Sequence, residues 1–208
     1  MIPAASTAGP ERRYGGKTAS ERRAERREQL LDAGLELFGR VGFANTTIEG
    51  LCAAAGLNAR YFYEQFPTRE DLLGAVYDRH VVAVLETVQA AIATAPDEPD
   101  ERLRRGLTAF VDATLADERG ARINYFEMIG ISAELEHRRR AVLRAYGELI
   151  AAEAARLPEP GALARGDRRM AAMALVGATD GLIIDWLTSE PRAPRQSIVE
   201  TLVAIFAV

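Results

Sequence analysis

A chain of 208 residues is long enough for a small domain beside one larger core, or for one compact domain. Its 48% apolar and 27% charged residues suit a folded globular protein, no apolar run approaches the roughly 18 residues that span a bilayer, and residues 1–10 lack the pattern of a signal peptide. A single cysteine, Cys52, excludes an internal disulfide and a cysteine-rich zinc site, so a cytoplasmic protein with no membrane partner is expected. The net charge of −4 argues against nucleic acid as a partner, but the charge is unevenly placed: residues 1–27 carry seven basic groups against three acidic, residues 67–208 carry 17 against 22. A basic arm on an acidic body suits contact with a polyanion at one end only.

Apolar residues recur every three or four positions and nowhere alternate, which predicts an all-α protein of about nine helices. A flexible basic arm covers residues 1–19. The first helix runs from about Ser20 to Arg40, with Leu30, Leu31, Gly34, Leu37, Phe38 and Val41 on one face, and Gly42 ends it. Thr46 and Glu49 have capping-box spacing at the head of a short second helix, which buries Ile48, Leu51, Cys52 and Ala55 and stops at Gly56. Asn58 caps a third, Ala59 to Gln65, with Phe62 and Phe66 toward the core. Pro67 breaks the chain, and Thr68 with Asp71 caps a long helix reaching Thr94. Further helices are predicted over about 100–117, 121–131, 133–157, 167–189 and 195–207, with a loop at 157–161.

Two short helices around a tight glycine turn have the layout of a helix-turn-helix, whose second helix enters the major groove. Its exposed residues suit that role. Arg60 can pair bidentately with guanine, and Asn58 and Tyr61 share its face. Thr47, Tyr63 and Gln65 can bond phosphates, and Arg69 sits in the first turn of the fourth helix, another phosphate position. The run Phe43, Thr46, Thr47, Leu51, Gly56, Leu57, Tyr63, Phe66, Arg69, Glu70 and Leu72 resembles, at its fixed spacing, the DNA-binding segment of the tetracycline-repressor (TetR) family. The likeness covers roughly residues 25–75; beyond it the order and lengths of the helices agree. Arg60 and Phe62 are bulkier than the family's usual residues, and Arg69 replaces its usual lysine.

The resemblance implies a helix-turn-helix domain (20–67), a ligand-binding and dimerisation domain (68–208), and a repressor released from its DNA operator by a small-molecule effector. It implies a pocket among helices five to seven, with Phe110, Ile123, Tyr125, Phe126, Met128 and Met173 as apolar candidates and Asn124, Glu127 and Asp180 as polar ones. Asp180 stands in an apolar helix, where a carboxylate without a partner is costly. That helix, Met170 to Leu187, is apolar nearly all round, and Gly177 and Gly181 allow close approach of a second backbone; with Ile198, Leu202 and Ile205 they are the candidate homodimer interface. No nucleophile elbow, phosphate-binding glycine loop or metal-ligand pair is present, and His80 and His137 stand far apart, so neither an enzyme nor a cofactor is expected. The alternative is an architectural DNA-binding protein. A pocket of ~300 Å³ or more favours the sensor, and a filled interior favours the alternative.

Overall fold

The computed structural model describes residues 18–156 and 167–206. Nine α-helices follow one another, with no strand among the described residues. Thr18 opens α1 (Ala19–Val41) with a capping box: its hydroxyl accepts from Glu21 N, and the Glu21 carboxylate accepts from Thr18 N. The arm expected over residues 1–19, with Arg12, Arg13 and Lys17, falls outside the described residues except at Thr18 and Ala19. Leu30, Leu31, Gly34 and Phe38 are buried as the period requires, but Val41 is 49% exposed, beyond the reach of the core.

Helix α2 (Ile48–Ala55) begins one residue later than the sequence suggests. Thr47, not Thr46, is its cap and accepts from Gly50 N at 3.0 Å; Thr46 is buried and donates its hydroxyl to Gly42 O at 2.8 Å. The third helical residue is therefore a glycine, and no capping box with Glu49 forms. Gly56 closes α2 in the left-handed region at φ 65°, where a side chain would be strained. Asn58 then caps α3 (Ala59–Gln65), accepting from Tyr61 N at 3.2 Å. Phe62 and Phe66, one turn apart, are buried and anchor α3, each contributing about 2–3 kcal/mol. Thr68 and Asp71 form the capping box of α4 (Arg69–Ala93).

The remainder is α5 (Pro99–Leu115), α6 (Glu118–Arg122), α7 (Ala133–Ala154), α8 (Arg168–Thr188) and α9 (Arg195–Phe206). Helix α6 starts three residues before the expected Ala121, because Asp117 caps it by accepting from Arg119 N. It runs into one π turn, Ile123–Glu127, closed by Met128 N donating to Ile123 O at 3.2 Å, and ends there rather than at Ile131. Helix α7 stops at Ala154, and the loop expected at 157–161 lies outside the described residues. Helix α8 is long and apolar enough to cross a membrane by length and composition alone, but Asp180 and Asp185 interrupt its apolar run, and Leu175, Ile183 and Trp186 are buried inside the protein.

Two cores result. The first joins Leu30, Phe38, Leu51, Phe62, Leu72 and Tyr77 with Ile123, Met128 and Leu135 of the body. The second joins Val111, Leu115, Leu175, Ile183, Trp186, Ile198 and Leu202. Helix α1 docks directly on α6, where the Arg119 guanidinium bridges Asp117 and Glu36. A Cβ on Gly39 would lie 2.7 Å from Arg119 Cα, so only glycine fits between these backbones. Gly39→Ala should force α1 and α6 apart and destabilise the protein by about 1–3 kcal/mol, visible as a lower melting temperature. An unchanged melting temperature would mean that the two helices are not held this close.

Candidate nucleic-acid interface and internal cavity

The surface of α3 is set from below by Phe62 and Phe66 and from the side by α1. Arg23 Nη2 donates to Glu64 O at 3.2 Å, the Arg26 guanidinium lies 4.4 Å over the Tyr61 ring, and that of Arg27 lies 4.5 Å over Phe66. These three arginines belong to the basic excess of residues 1–27, yet here they brace α3, each stack contributing about 0.5–1 kcal/mol. Reading the sequence as an arm missed this. The signal was their spacing, which puts Arg23, Arg26 and Arg27 on one helical side.

The candidate DNA contacts separate into two groups. Thr47 and Asn58 are exposed caps, and Tyr63 is 58% exposed. Arg60 is the most open: its side chain is 84% exposed, and Nε meets Glu64 Oε1 at 3.1 Å. An exposed i,i+4 pair is worth only about 0.3–0.5 kcal/mol, so the guanidinium can exchange it for a base edge. Tyr61 is half-buried under Arg26, and Gln65 is half-buried with its Nε2 enclosed and without a partner, so that amide is not turned outward to a phosphate. Arg69 departs furthest from expectation. Its Nη1 donates to the carbonyls of Phe43 and Thr46, and its guanidinium stacks 4.4 Å over the Phe43 ring. It ties the loop before α2 to α4 through Nη1 alone, so the three N–H donors on Nε and Nη2 remain for a phosphate.

A cavity of about 170 Å³ opens inside the body, between α4, α5, the π turn, α7 and α8. It is smaller than the ~300 Å³ expected of a drug-sized site, but the interior is not filled. Four of the nine candidates line it, Phe110, Asn124, Tyr125 and Asp180. The others do not. Ile123 and Met128 are fully buried in the first core. Phe126 packs on the second core under Arg122, and Met173 wedges its sulfur against Gly147. Glu127 accepts from Phe43 N at 2.8 Å, satisfying a backbone donor of the loop that precedes α2. The π turn explains the misplacements over 123–128, since its extra residue breaks the 3.6 period that fixes which side chains face inward. The unpredicted lining includes Tyr77, Val88 and Ile92 of α4 and Arg139, Val142 and Tyr146 of α7.

Polar groups gather at one part of this wall. Burial lifts the Asp180 carboxyl to about 6, against the steadying effect of the facing Tyr125 hydroxyl and of the Arg139 guanidinium. Burial likewise pushes the Tyr77, Tyr125 and Tyr146 phenols up, with the Asp180 charge adding to each shift. The His80 imidazole, packed on Gly120 away from the cavity lining, is pushed down by burial. Among the described residues no group of side chains has the makings of a metal site.

On the outer side of α8, Gly177 and Gly181 are exposed, with nothing within 4 Å of an added Cβ. Met170 (65% exposed) and Ile205 of α9 (56%) are likewise open. Ile198 and Leu202 are not available to a partner, because both are buried in their own subunit's second core.

A capped helix-turn-helix joined by one long helix to a larger helical body defines the class of helix-turn-helix DNA-binding transcriptional regulators. The comparisons specify the family. Residues 30–76 match the bacterial regulatory proteins of the tetR family, and residues 96–207 match the tetracyclin repressor-like C-terminal domain. The chain belongs to the TetR family. It is 28% identical over 198 residues to the HTH-type transcriptional activator FasR of Mycolicibacterium smegmatis, covering 92% of this chain and 87% of that protein. The crystal structure of the transcriptional regulator FadR from Bacillus subtilis in complex with stearoyl-CoA superposes with a TM-score of 0.74 at 16% identity, covering 86% of this chain and 96% of that one. A TetR/AcrR-family regulator from Thermobifida fusca gives 0.68 at 27% identity, covering 87% and 96%.

Two sets of predictions follow from this geometry, one for the DNA-facing module and one for the cavity. Arg60→Ala should weaken binding to the cognate site, selected from a random DNA pool, by about 1–3 kcal/mol and leave the melting temperature unchanged. Arg69→Ala should lower the melting temperature, since it removes two carbonyl ties and a ring stack. Weaker DNA binding with an unchanged melting temperature would leave Arg69 with a phosphate role alone. The second concerns Asp180. Its folded pKa stands above the ordinary 3.8, so folding favours the protonated form. Stability is therefore fully present below pH 4, declines as the pH rises from about 4 to 6, and stays reduced above. Asp180→Asn should then stabilise the protein by up to about 3 kcal/mol at pH 7.5, with the gain shrinking toward pH 4. Denaturant titrations at several pH values measure this, and a gain that does not depend on pH would refute the assignment.

Proposed function

We propose that the protein is a cytoplasmic, homodimeric transcriptional regulator that lets go of its operator when an apolar small molecule enters the cavity of the body. The carrying observation is the continuity of α4. Its first turns pack Leu72, Leu73 and Val76 into the core that supports α3, while Tyr77, Val88 and Ile92 of the same helix line the cavity. A ligand that displaces the wall therefore bears on the seat of the recognition helix. The apolar lining and the B. subtilis neighbour bound to stearoyl-CoA support an effector with a long hydrocarbon portion.

In this reading residues 20–67 bind DNA and residues 68–208 sense and dimerise. Arg60 reads a base, with Thr47, Asn58, Tyr61 and Tyr63 around it. The open outer face of α8, Met170, Gly177 and Gly181, meets its counterpart with Ile205 at the edge, and two recognition helices enter successive major grooves ~34–36 Å apart. Ligand-induced release makes a repressor where the operator blocks a promoter; the relative FasR carries the name of an activator, a difference that operator position can set. The chain regulates and does not catalyse.

The test is binding of the full-length protein to its selected operator, titrated with stearoyl-CoA and shorter apolar-chain ligands, with mass from light scattering. A dimer whose operator affinity falls at least tenfold with one of them is expected. A monomer would sink the interface. A DNA-binding dimer indifferent to every such ligand would be the architectural protein instead.

A further inference from the structure

Two charged pairs line the cavity, and they differ in one respect. Arg102 and Glu153 are closed on each other: Nε and Nη2 both donate to Glu153 Oε2, at 3.0 and 2.7 Å. That pair is complete and asks nothing of a ligand. Asp180 and Arg139 are not closed. Among the described residues Asp180 has no cation within ion-pair distance, and Arg139 has only Glu136 of its own helix, at 3.5 Å, with its Nε enclosed and lacking a hydrogen-bond partner. Tyr125, more than nine-tenths buried, faces Asp180, yet its Oη is enclosed and makes no hydrogen bond of ordinary geometry. Four elements thus bring an acceptor, a guanidinium donor and phenol hydroxyls to one part of an otherwise apolar wall, where no ion pair joins Asp180 to Arg139 and only the Tyr125 hydroxyl faces the carboxylate. Enclosed polar atoms in that condition, the Arg139 Nε and the Tyr125 Oη, are costly unless something else completes them.

We propose that the effector bears an uncharged group that both donates and accepts hydrogen bonds, an alcohol or a primary amide, seated between Asp180 and Arg139 with its apolar body in the rest of the cavity. This rests on the reading of the cavity as the effector site. Asp180, when ionised, only accepts, so it takes the donor; Arg139 only donates, so it takes the acceptor. Their charges balance. A cationic head would meet the Arg139 guanidinium, and an anionic head the Asp180 carboxylate, each in a part-enclosed setting that screens the repulsion less than open water does. Both groups are half-buried, and burial raises the Asp180 pKa.

Four ligands with one chain and different heads test it: decanamide, 1-decanol, decylamine and decanoate, titrated calorimetrically into the full-length protein at pH 7.5. The amide and the alcohol should bind once per subunit, at least tenfold tighter than either charged analogue, and their order tells which of the two heads is preferred. Asp180→Asn should unbalance the site toward the guanidinium and improve decanoate at least tenfold; Arg139→Met should do the same for decylamine. The Asn variant removes a buried charge and is expected to fold. Tighter binding of the amine or of the acid to the unaltered protein overturns the proposal and leaves the cavity reading intact, as does a Asp180→Asn protein with unchanged preferences. If none of the four binds, the cavity reading falls and the proposal with it.

Discussion

Helix α4 is the member on which both halves depend. Its backbone hydrogen bonds run unbroken from Arg69 to Ala93, a length of about 37 Å at 1.5 Å per residue. Its N-terminal end cannot move alone: the Thr68–Asp71 box fixes the first turn, and Arg69 reaches back to the loop carbonyls that lead into α2. Its middle and far end cannot move alone either, because Tyr77 is buried in the first core while Val88 and Ile92 stand against the cavity. A stiff element fixed at one end to the recognition module and at the other to a void is the simplest route between the two.

A second connection runs beside it. The π turn sets Asn124 and Tyr125 on the cavity wall, and Glu127 of the same turn accepts from Phe43 N, next to Gly42 at the end of α1. One five-residue turn thus reaches both the space inside the body and the loop that carries α2. The cost of a π turn is a poorer ladder than an α-helix provides, and such turns recur where function requires a break in phase.

What the sequence disclosed follows from the range of the forces involved. Asn58, Gly56, the Thr68–Asp71 box and the Phe62/Phe66 pair were legible because each depends on neighbours within four residues. The family was legible for the same reason, since its motif is a local constellation. Long-range facts were not. Nothing near Arg69 announces that it will spend Nη1 on carbonyls 23 and 26 residues away. An α-helical phase through Ile123, Phe126, Glu127 and Met128 is one that the chain abandons at Ile123, and Met173 of α8 packs on Gly147 of α7 instead of the cavity. Ile198 and Leu202 belong to a stripe that helical periodicity identifies correctly as apolar, but periodicity does not say whether a subunit or its partner covers it. The missed charge role is of another kind: Arg23, Arg26 and Arg27 count as a field in the sequence, whereas a hydrogen bond from Arg23 and ring stacks from Arg26 and Arg27 make them contacts.

The contact at Gly39 limits how this molecule can change shape. Backbones that meet with no side chain or solvent between them leave no slack for a hinge, and opening them would expose a dry seam and break the Arg119 bridge to Glu36. Sliding along the seam disturbs far less, since smooth surfaces can be displaced lengthwise while staying in touch. Motion of the DNA-binding helices relative to the body should therefore be shear of a fraction of a turn, not a swing. Such a motion changes the distance between two recognition helices in a dimer by small increments. Periodic DNA turns small increments into large differences in fit.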